Sequence, residues 1–139
     1  MGSIAIEEEI AASADAAWKS IGDFAGIGGW MPGIDSCDTE GEGIGAVRTV
    51  NMGALKIVEK LEAHDDDARS ISYSITEGPL PVQNYLATIQ VSDAGAGCKV
   101  DWTARFDLPE GVEEAAIAPA LEGAYGGALK ALKAQLENA

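Results

Sequence analysis

The sequence is poor in cationic residues and in histidine, and both shortages exclude classes of function. Nine Lys and Arg residues against 23 Asp and Glu residues leave a formal charge of −14. Nucleic acids and anionic membrane surfaces attract Lys and Arg, so this charge argues against both as partners. His64 is the only histidine, which argues against a Ser-His-Asp or Cys-His catalytic site.

Cysteine is nearly as scarce. Cys37 and Cys98 are too few for a disulfide scaffold, and no CxxC motif or Cys/His cluster has the spacing of a zinc site. The run His-Asp-Asp-Asp at 64–67 lacks the spacing of a calcium loop, so we interpret it as a solvated turn. We therefore expect two reduced thiols, no metal and no cofactor.

Long apolar runs are also missing. The longest ones fall far short of the roughly 20 residues of a membrane span, and the N-terminus lacks the basic and apolar regions of a secretory signal. Ile6 stands where N-myristoylation of Gly2 requires Ser or Thr. These features predict a cytoplasmic protein without membrane insertion. At 139 residues, 47% of them hydrophobic, residues 1–139 are expected to form a single domain.

Residues 112–138 have the spacing of a long amphipathic helix. The apolar residues recur at steps of three or four: Ile117, Leu121, Tyr125, Leu129, Leu132 and Leu136. Pro119 should bend this helix near its start. Gly123, Gly126 and Gly127 lie inside it, and mid-helix glycines often mark the close approach of a backbone or a ligand. We therefore hypothesise that the helix covers a hydrophobic cavity.

Most of the preceding chain alternates between apolar and polar residues, which is typical of strands. The predicted strands are residues 3–12, 34–39, 46–52, 55–63, 69–76, 84–92 and 98–108. Ser13 is expected to cap a short helix, and the glycine-rich stretch 22–33 to contain a second one. This order predicts an α+β fold in which an antiparallel sheet curls around the last helix.

Alternation along the strands also predicts which side chains face inward. The inward set on the last three strands is apolar and aromatic: Ile71, Tyr73, Ile75, Tyr85, Ala87, Ile89, Val91, Val100, Trp102, Ala104 and Phe106. Such a face suits a ligand pocket and a packed core equally. Three charged residues share the inward parity, namely Arg48, Glu59 and Glu8, and burial of a lone charge is costly, so each should have a partner. Glu8 is expected to lie near a sheet edge in a structural role.

The turn lengths suggest which residues pair. A two-residue turn at 53–54 places Arg48 directly opposite Glu59, which predicts a buried ion pair. A loop at 64–68 would place Glu59 opposite Tyr73. If that loop differed in length by an even number of residues, Glu59 and Tyr73 would be diagonal rather than direct neighbours, and both side chains would still face inward.

Five segments, together with the order of the elements, resemble the Bet v1-like (START/SRPBCC) superfamily, and most of all its bacterial polyketide cyclase/dehydrase-like branch. They are Ala14-Asp15-Ala16-Ala17-Trp18, Ile21-Gly22-Asp23-Phe24, Trp30-Met31-Pro32-Gly33-Ile34, Gly45-Ala46-Val47-Arg48 and Glu59-Lys60-Leu61-Glu62. The resemblance covers almost the whole chain. It implies a helix-grip fold in which a curved seven-stranded sheet and the long helix enclose a cavity.

The resemblance and the inward-facing charges predict a protein that binds a small hydrophobic molecule, aromatic or polyketide-like, in this cavity. The expected ligand-binding residues are Arg48, Glu59, Tyr73, Tyr85, Trp102, Tyr125, Trp30 and Met31. The alternatives are a cofactor-independent cyclase or dehydratase acting on a carbonyl compound, and a chaperone-like or assembly factor. In the enzyme, Glu59 would be the base, and Arg48 or Tyr73 would stabilise the developing oxyanion.

Each of these features also has a purely structural interpretation. Arg48 and Glu59 can simply bridge two strands, and the aromatic residues can simply fill a core. The segment 30–32, Trp-Met-Pro, is either a mobile portal or a fixed plug at the end of the sheet. The oligomeric state is left open by the sequence.

Overall fold

The computed structural model describes residues 2–138, and its elements follow the predicted order. The elements are β1 Gly2–Ile10, α1 Ala14–Ile21, a 3-10 helix Phe24–Gly29, β2 Ser36–Glu40, β3 Val47–Met52, β4 Leu55–Asp65, β5 Ser70–Glu77, β6 Gln83–Ala94, β7 Gly97–Asp107 and α2 Glu114–Glu137. Each predicted strand boundary lies within two residues of the observed one; β4, for example, runs through His64 into Asp65 rather than ending at Ala63.

The seven strands form one antiparallel sheet in the order β1-β7-β6-β5-β4-β3-β2. The long helix α2 packs on this sheet, and its buried residues join the same core as the inward-facing strand residues. This is the predicted α+β helix-grip architecture. The sheet and α2 therefore define the two walls between which any internal site must lie.

The helix α2 buries the predicted apolar face. Its buried residues are Ile117, Leu121, Tyr125, Ala128, Leu129 and Leu132. The backbone approach expected at its glycines is absent, because a Cβ built on Gly123, Gly126 or Gly127 meets no protein atom within 4 Å; the approach of a ligand stays a prediction. Neither a strand nor another helix approaches them, so they lie beside open space. Pro119 lies inside the helix, and the bend expected there stays a prediction.

Near the N-terminus, the predicted helix cap is present, and Glu8 has a charged partner that the sequence did not identify. The Ser13 side chain caps α1 by accepting a hydrogen bond from the Ala16 amide at 3.1 Å. Glu8 is half-buried, and its Oε2 lies 3.5 Å from the Lys130 ammonium nitrogen on α2. A charged residue on the inward-facing side of a strand was expected to have a partner, and for Glu8 this partner is Lys130.

The β3–β4 hairpin has the predicted register. Gly53 adopts the left-handed conformation, with φ of +61°, that a two-residue hairpin turn requires. Arg48 therefore lies directly opposite Glu59. The prediction from the turn length is confirmed.

The β4–β5 register differs from the prediction because the turn, residues 66–69, is shorter than the predicted loop 64–68 and because β4 contains a β-bulge. Strand pairing continues to Asp65 opposite Ser70, and a register shift follows around Glu62. Glu59 then lies opposite Ile75 rather than opposite Tyr73, so the predicted direct pair is wrong and the two residues are diagonal neighbours. The changed turn alone would place Tyr73 on the outer face. The bulge adds one residue to β4, and this returns the Tyr73 side chain to the inner face.

The remaining expectations concern cysteines, metals and membranes. Cys37 and Cys98 are both free. Among residues 2–138, no group of three or more His, Cys, Asp or Glu side chains is placed to hold a metal ion. No helix in that range is both long enough and apolar enough to cross a membrane.

Candidate ligand-binding site

A cavity of about 440 Å³ lies between the sheet and α2. It is lined by Ile27, Met31, Val50, Met52, Leu55, Ile57, Glu59, Tyr73, Ile75, Thr76, Glu77, Gly78, Pro79, Leu80, Val82, Trp102, Ala120, Leu121, Ala124 and Tyr125. Most of these side chains are apolar. Exposed residues of α2 and of the β5–β6 loop form part of the lining, so the cavity opens to solvent between these two elements.

Arg48 and Glu59 form an ion pair beside this cavity. The Arg48 Nε donates to Glu59 Oε1 at 2.7 Å, and the two residues are only 4% and 7% exposed. A second guanidinium nitrogen of Arg48 donates to the Phe24 carbonyl oxygen at 2.7 Å. The guanidinium carbon lies 4.1 Å from the centre of the Phe24 ring and 5.1 Å from that of Tyr73. These contacts hold the cation firmly and away from the cavity surface.

Glu59 presents its carboxylate to the cavity. Its side chain lines the cavity, and its Oε1 is taken by Arg48. No donor within residues 2–138 forms a hydrogen bond to Oε2, so that oxygen remains able to accept one. Burial raises the pKa of the Glu59 carboxyl above its ordinary value, and the neighbouring Arg48 guanidinium opposes part of this rise. The group can therefore act as a hydrogen-bond acceptor or as a base.

The three tyrosines of the chain meet at their hydroxyl groups. The Tyr73 hydroxyl donates to the Tyr125 hydroxyl at 3.0 Å, and the Tyr85 hydroxyl is hydrogen-bonded to the same oxygen. Burial raises the pKa of all three phenols above the ordinary value, so each keeps its proton at neutral pH. We refer to these three residues as the tyrosine triad.

Two tryptophans complete the aromatic wall. The Trp102 ring stacks on the Tyr125 ring, with centroids 3.9 Å apart and planes inclined by 9°. The Trp30 ring lies 5.9 Å from Trp102 at an angle of 55°. Both indole Nε1–H groups are buried, and neither has a hydrogen-bond partner within residues 2–138. Such orphan donors are uncommon in protein interiors.

The family model described as "Polyketide cyclase / dehydrase and lipid transport" matches residues 1–137. The chain belongs to this family. The family description names both cyclase or dehydrase chemistry and lipid transport, and both involve hydrophobic small molecules. The predicted membership in the SRPBCC superfamily is thereby confirmed.

Solved structures support the same assignment. The protein XoxI from Bacillus cereus is 32% identical, with a TM-score of 0.90 over 99% of this chain and 96% of its own. A putative uncharacterized protein from Bacillus thuringiensis is also 32% identical, with a TM-score of 0.88 over 98% of this chain and 99% of its own. Ara h 8.0201, a Bet v1 homologue, is 17% identical with a TM-score of 0.83, which shows the fold alone.

The structure of this polyketide cyclase/dehydrase family member places five of the eight predicted ligand-binding residues on the cavity wall. These are Met31, Glu59, Tyr73, Trp102 and Tyr125. The other three lie one layer behind the wall: Arg48 behind Glu59, Tyr85 behind Tyr125 and Trp30 behind Trp102. They position wall residues rather than line the cavity. Whether any of the eight contacts a ligand stays a prediction.

The segment 30–32 was predicted to be either a mobile portal or a fixed plug, and its residues differ in position. Trp30 is buried against Trp102, in the position of a plug. Met31 is only half-buried and lines the cavity. The plug interpretation therefore fits Trp30, and the neighbouring Met31 belongs to the cavity wall.

Sequence reasoning missed most of the apolar lining. Val50, Met52 and Ile57 share the inward parity of Arg48 and Glu59, so strand alternation could have identified them. The other missed residues include the loop 78–80 and the small side chains of α2. No local pattern marks these residues, because they reach the cavity only through the way the β5–β6 loop and α2 pack on the sheet.

Proposed function

We propose that the protein binds a small hydrophobic molecule, aromatic or polyketide-like, in the cavity between the sheet and α2. The observation that carries the proposal is a carboxylate, Glu59, held on the wall of an otherwise largely apolar cavity. A core residue at this place would be expected to be apolar, because burial of an ion pair is costly. A largely apolar pocket with a few placed polar groups is the usual form of a small-molecule site.

The size and the walls of the cavity support a planar or ring-containing ligand. Its volume of about 440 Å³ lies within the range of about 300–1,000 Å³ that is usual for small-molecule sites. The stacked Trp102 and Tyr125 rings form part of the wall. Aromatic side chains of this kind favour offset stacking or edge contacts with the rings of a ligand.

Glu59 would orient the ligand. Its Oε2 can accept a hydrogen bond from a hydroxyl group, while Arg48 holds Oε1 and fixes the orientation of the carboxylate. A phenol or another hydroxylated hydrophobic molecule therefore fits better than a pure hydrocarbon. The net gain from such a hydrogen bond to a charged group is about 1.5–3 kcal/mol.

Ligand-observed NMR and thermal-shift screening against phenols, aromatic ketones and fatty acids test this proposal. We expect hits among the aromatic compounds, and we expect Glu59→Gln to weaken binding of the hydroxylated hits by at least tenfold. Glu62→Gln is the matched control, because Glu62 belongs to the same strand but is exposed and bonded to Ser74 outside the cavity. A screen without hits in any of these classes would count against the proposal.

A cofactor-independent cyclase or dehydratase is the second candidate, and the state of Glu59 favours it. A buried carboxylate with a raised pKa and one free oxygen is suited to remove a proton next to a carbonyl group. Tyr73 lines the cavity, but its hydroxyl would have to release its hydrogen bond to Tyr125 to donate to the resulting enolate oxygen, and Arg48 lies behind Glu59. Loss of substrate conversion in Glu59→Gln with binding retained would establish the enzyme. Retained conversion would exclude Glu59 as the base.

The third alternative, a chaperone-like or assembly factor, has no specific support. It would require a broad exposed apolar patch for a protein partner. Ile44 and Leu55 are the large hydrophobic residues that are exposed within residues 2–138, at 60% and 49%. Leu55 also lines the cavity, which accounts for it within the ligand-binding proposal.

A further inference from the structure

The charged side chains that line the cavity are all of one sign. Glu59 and Glu77 both belong to the wall, and no Lys, Arg or His side chain of residues 2–138 joins them. Arg48 is not part of the wall, because its contacts with Glu59 Oε1 and with the Phe24 carbonyl oxygen hold it behind the carboxylate. A bound molecule therefore meets negative charge and no cationic side chain.

The pairing of β4 with β5 brings the two carboxylates to the same part of the wall. Glu59 lies opposite Ile75 and Glu77 lies opposite Val58, with a register shift between them at Thr76. Glu59 is 7% exposed, whereas Glu77 is exposed and directly precedes the β5–β6 loop at the cavity opening. The wall thus carries one deep carboxylate and one at the opening.

The free oxygen of Glu59 can be reached by a ligand. Its Oε2 receives no hydrogen bond from residues 2–138. In that part of the chain, the side-chain nitrogen and oxygen atoms that are both sealed from solvent and unpartnered are the indole nitrogens of Trp30 and Trp102. Because Glu59 Oε2 is unpartnered and is not one of these atoms, it keeps contact with solvent.

Two hydroxyl groups of the same wall already use their protons. In the tyrosine triad, the Tyr73 hydroxyl donates to Tyr125 at 3.0 Å, and the Thr76 hydroxyl donates to the Val58 carbonyl oxygen at 3.3 Å. Glu59 and Glu77, in contrast, can only accept when ionised. A ligand that brings donors is therefore matched, whereas a ligand carboxylate would face two like charges.

We infer that the cavity selects ligands by charge, taking aromatic molecules that carry a protonated amine and rejecting the corresponding carboxylic acids. The inference rests on the proposed ligand-binding function and adds charge as a criterion. The ammonium group donates to Glu59 Oε2, and Glu77 attracts it at the opening. An ammonium group loses hydration on entry, so its binding depends on this carboxylate.

Two further properties favour a cation in the cavity. Burial raises the pKa of the Glu59 carboxyl, and a cation beside Oε2 would favour its charged form and offset this rise. The net charge of −14 attracts cations to the protein and repels anions.

Three probes with the same ring system test the inference. They are 1-naphthylmethylamine, which is protonated at neutral pH, the neutral 1-naphthalenemethanol, and 1-naphthoic acid, which is ionised. Calorimetry on the unmodified protein should show the tightest binding for the amine, with the acid at least about tenfold weaker. Glu59→Gln should weaken the amine more than the alcohol, because glutamine still accepts a hydrogen bond but carries no charge.

Glu77→Gln and Glu62→Gln form a matched pair of variants. Each removes one exposed carboxylate from the β4–β5 hairpin and changes the net charge equally, but only Glu77 lines the cavity. Glu77→Gln should weaken the amine about two- to threefold, as expected for an exposed charge, and strengthen the acid. Glu62→Gln should leave the affinities of all three probes unchanged.

The possible outcomes separate this inference from the function on which it rests. If the acid bound the unmodified protein as tightly as the amine, charge selection would be overturned and ligand binding left intact. That comparison needs no variant, so it holds even if Glu59→Gln does not fold. Equal effects of Glu77→Gln and Glu62→Gln would also overturn the inference, because the net charge would then set the order. Binding of none of the three probes would contradict the proposed function itself.

Discussion

Arg48 and Glu59 lie eleven positions apart in the chain and directly opposite each other in the β3–β4 hairpin. Both are almost completely buried, so their attraction must offset the loss of hydration of two charges. An ion pair of this kind adds little net stability compared with two well-packed apolar residues. It is sensitive, however, to the loss of either partner, because the remaining charge is then buried alone.

A double-mutant cycle tests this balance. Arg48→Met should lower the free energy of unfolding by about 3–5 kcal/mol, because it leaves Glu59 unpaired. Glu59→Leu should have a similar effect through Arg48. The double variant should recover most of this loss and approach the stability of the unmodified protein. Urea denaturation measures all four proteins.

The exposed pair between Arg69 and Asp15 is the control for this cycle. Its atoms are 2.8 Å apart, but the Asp15 side chain is 84% exposed. Asp15→Asn should therefore change stability far less than either single variant of the buried pair. Strictly additive losses in the buried pair would contradict the argument.

The raised pKa of Glu59 predicts a pH dependence of stability. The folded state binds the proton more tightly than the unfolded state, so the stability gained from protonated Glu59 is fully present below the ordinary pKa of 4.5. It is lost as the pH rises through the raised folded-state pKa. The free energy of unfolding should therefore fall with rising pH in the unmodified protein relative to Glu59→Gln. If the free energy of unfolding of the unmodified protein instead rose with pH relative to that of Glu59→Gln, Arg48 would outweigh burial and lower the pKa of Glu59.

Among the elements, β4 and α2 have the most influence on the site. The turn at 66–69 is shorter than the predicted loop, and the bulge near Glu62 restores the inward parity of Tyr73; without it this phenol could not reach Tyr125. The helix α2 supplies Tyr125 from its buried face. Its opposite face carries Gly123 and Gly127, which are exposed. These glycines weaken the helix without an evident packing benefit.

Replacement of these glycines should stabilise the protein. Gly123→Ala and Gly127→Ala should each raise the free energy of unfolding by about 0.5–1 kcal/mol, because each new Cβ has free space and alanine favours the helix. Gly97→Ala is the contrasting variant, since its Cβ would overlap the carbonyl oxygen of Ile10. Thermal and urea denaturation would show gains for the first two variants and a loss for the third. A loss in the helix variants would indicate a contact that these glycines serve.

At the scale of the whole molecule, the cavity is the volume that the sheet and α2 leave unfilled. Its opening lies between the β5–β6 loop and the exposed side of α2, where Ala120 and Ala124 line it. The side chains at these two positions are small, so they obstruct the opening little. The opening can therefore be closed without a change in the core.

Ala124→Trp tests this route. The large side chain should obstruct the opening and reduce ligand binding at least tenfold, while the free energy of unfolding changes by about 1 kcal/mol or less, because the position is exposed. Ala134→Trp is the matched control on the same helix, at an exposed position that does not line the cavity. It should bind ligand normally. Equal binding by both variants would place the ligand elsewhere.

Strand alternation and turn length predicted the fold and part of the site. The two-residue turn at Gly53 has a single natural register, so the Arg48–Glu59 pair followed from it. The β4–β5 connection, residues 66–69, is shorter than the predicted loop 64–68, and β4 contains a bulge, so Glu59 and Tyr73 kept the predicted face but not the predicted pairing. A bulge is a feature of the pairing between two strands, so the alternation within either strand alone does not show it.

Side-chain direction is a local property of the backbone, and so the sequence determined which residues of the strands and of α2 face inward. The sequence also determined the family to which the chain belongs. Only the tertiary structure decided which inward residues border empty space and which lie behind them. That space is the difference between the volume enclosed by two packed layers and the volume of the side chains inside it. It depends on all the elements together, as does the meeting of three tyrosine hydroxyls from β5, β6 and α2.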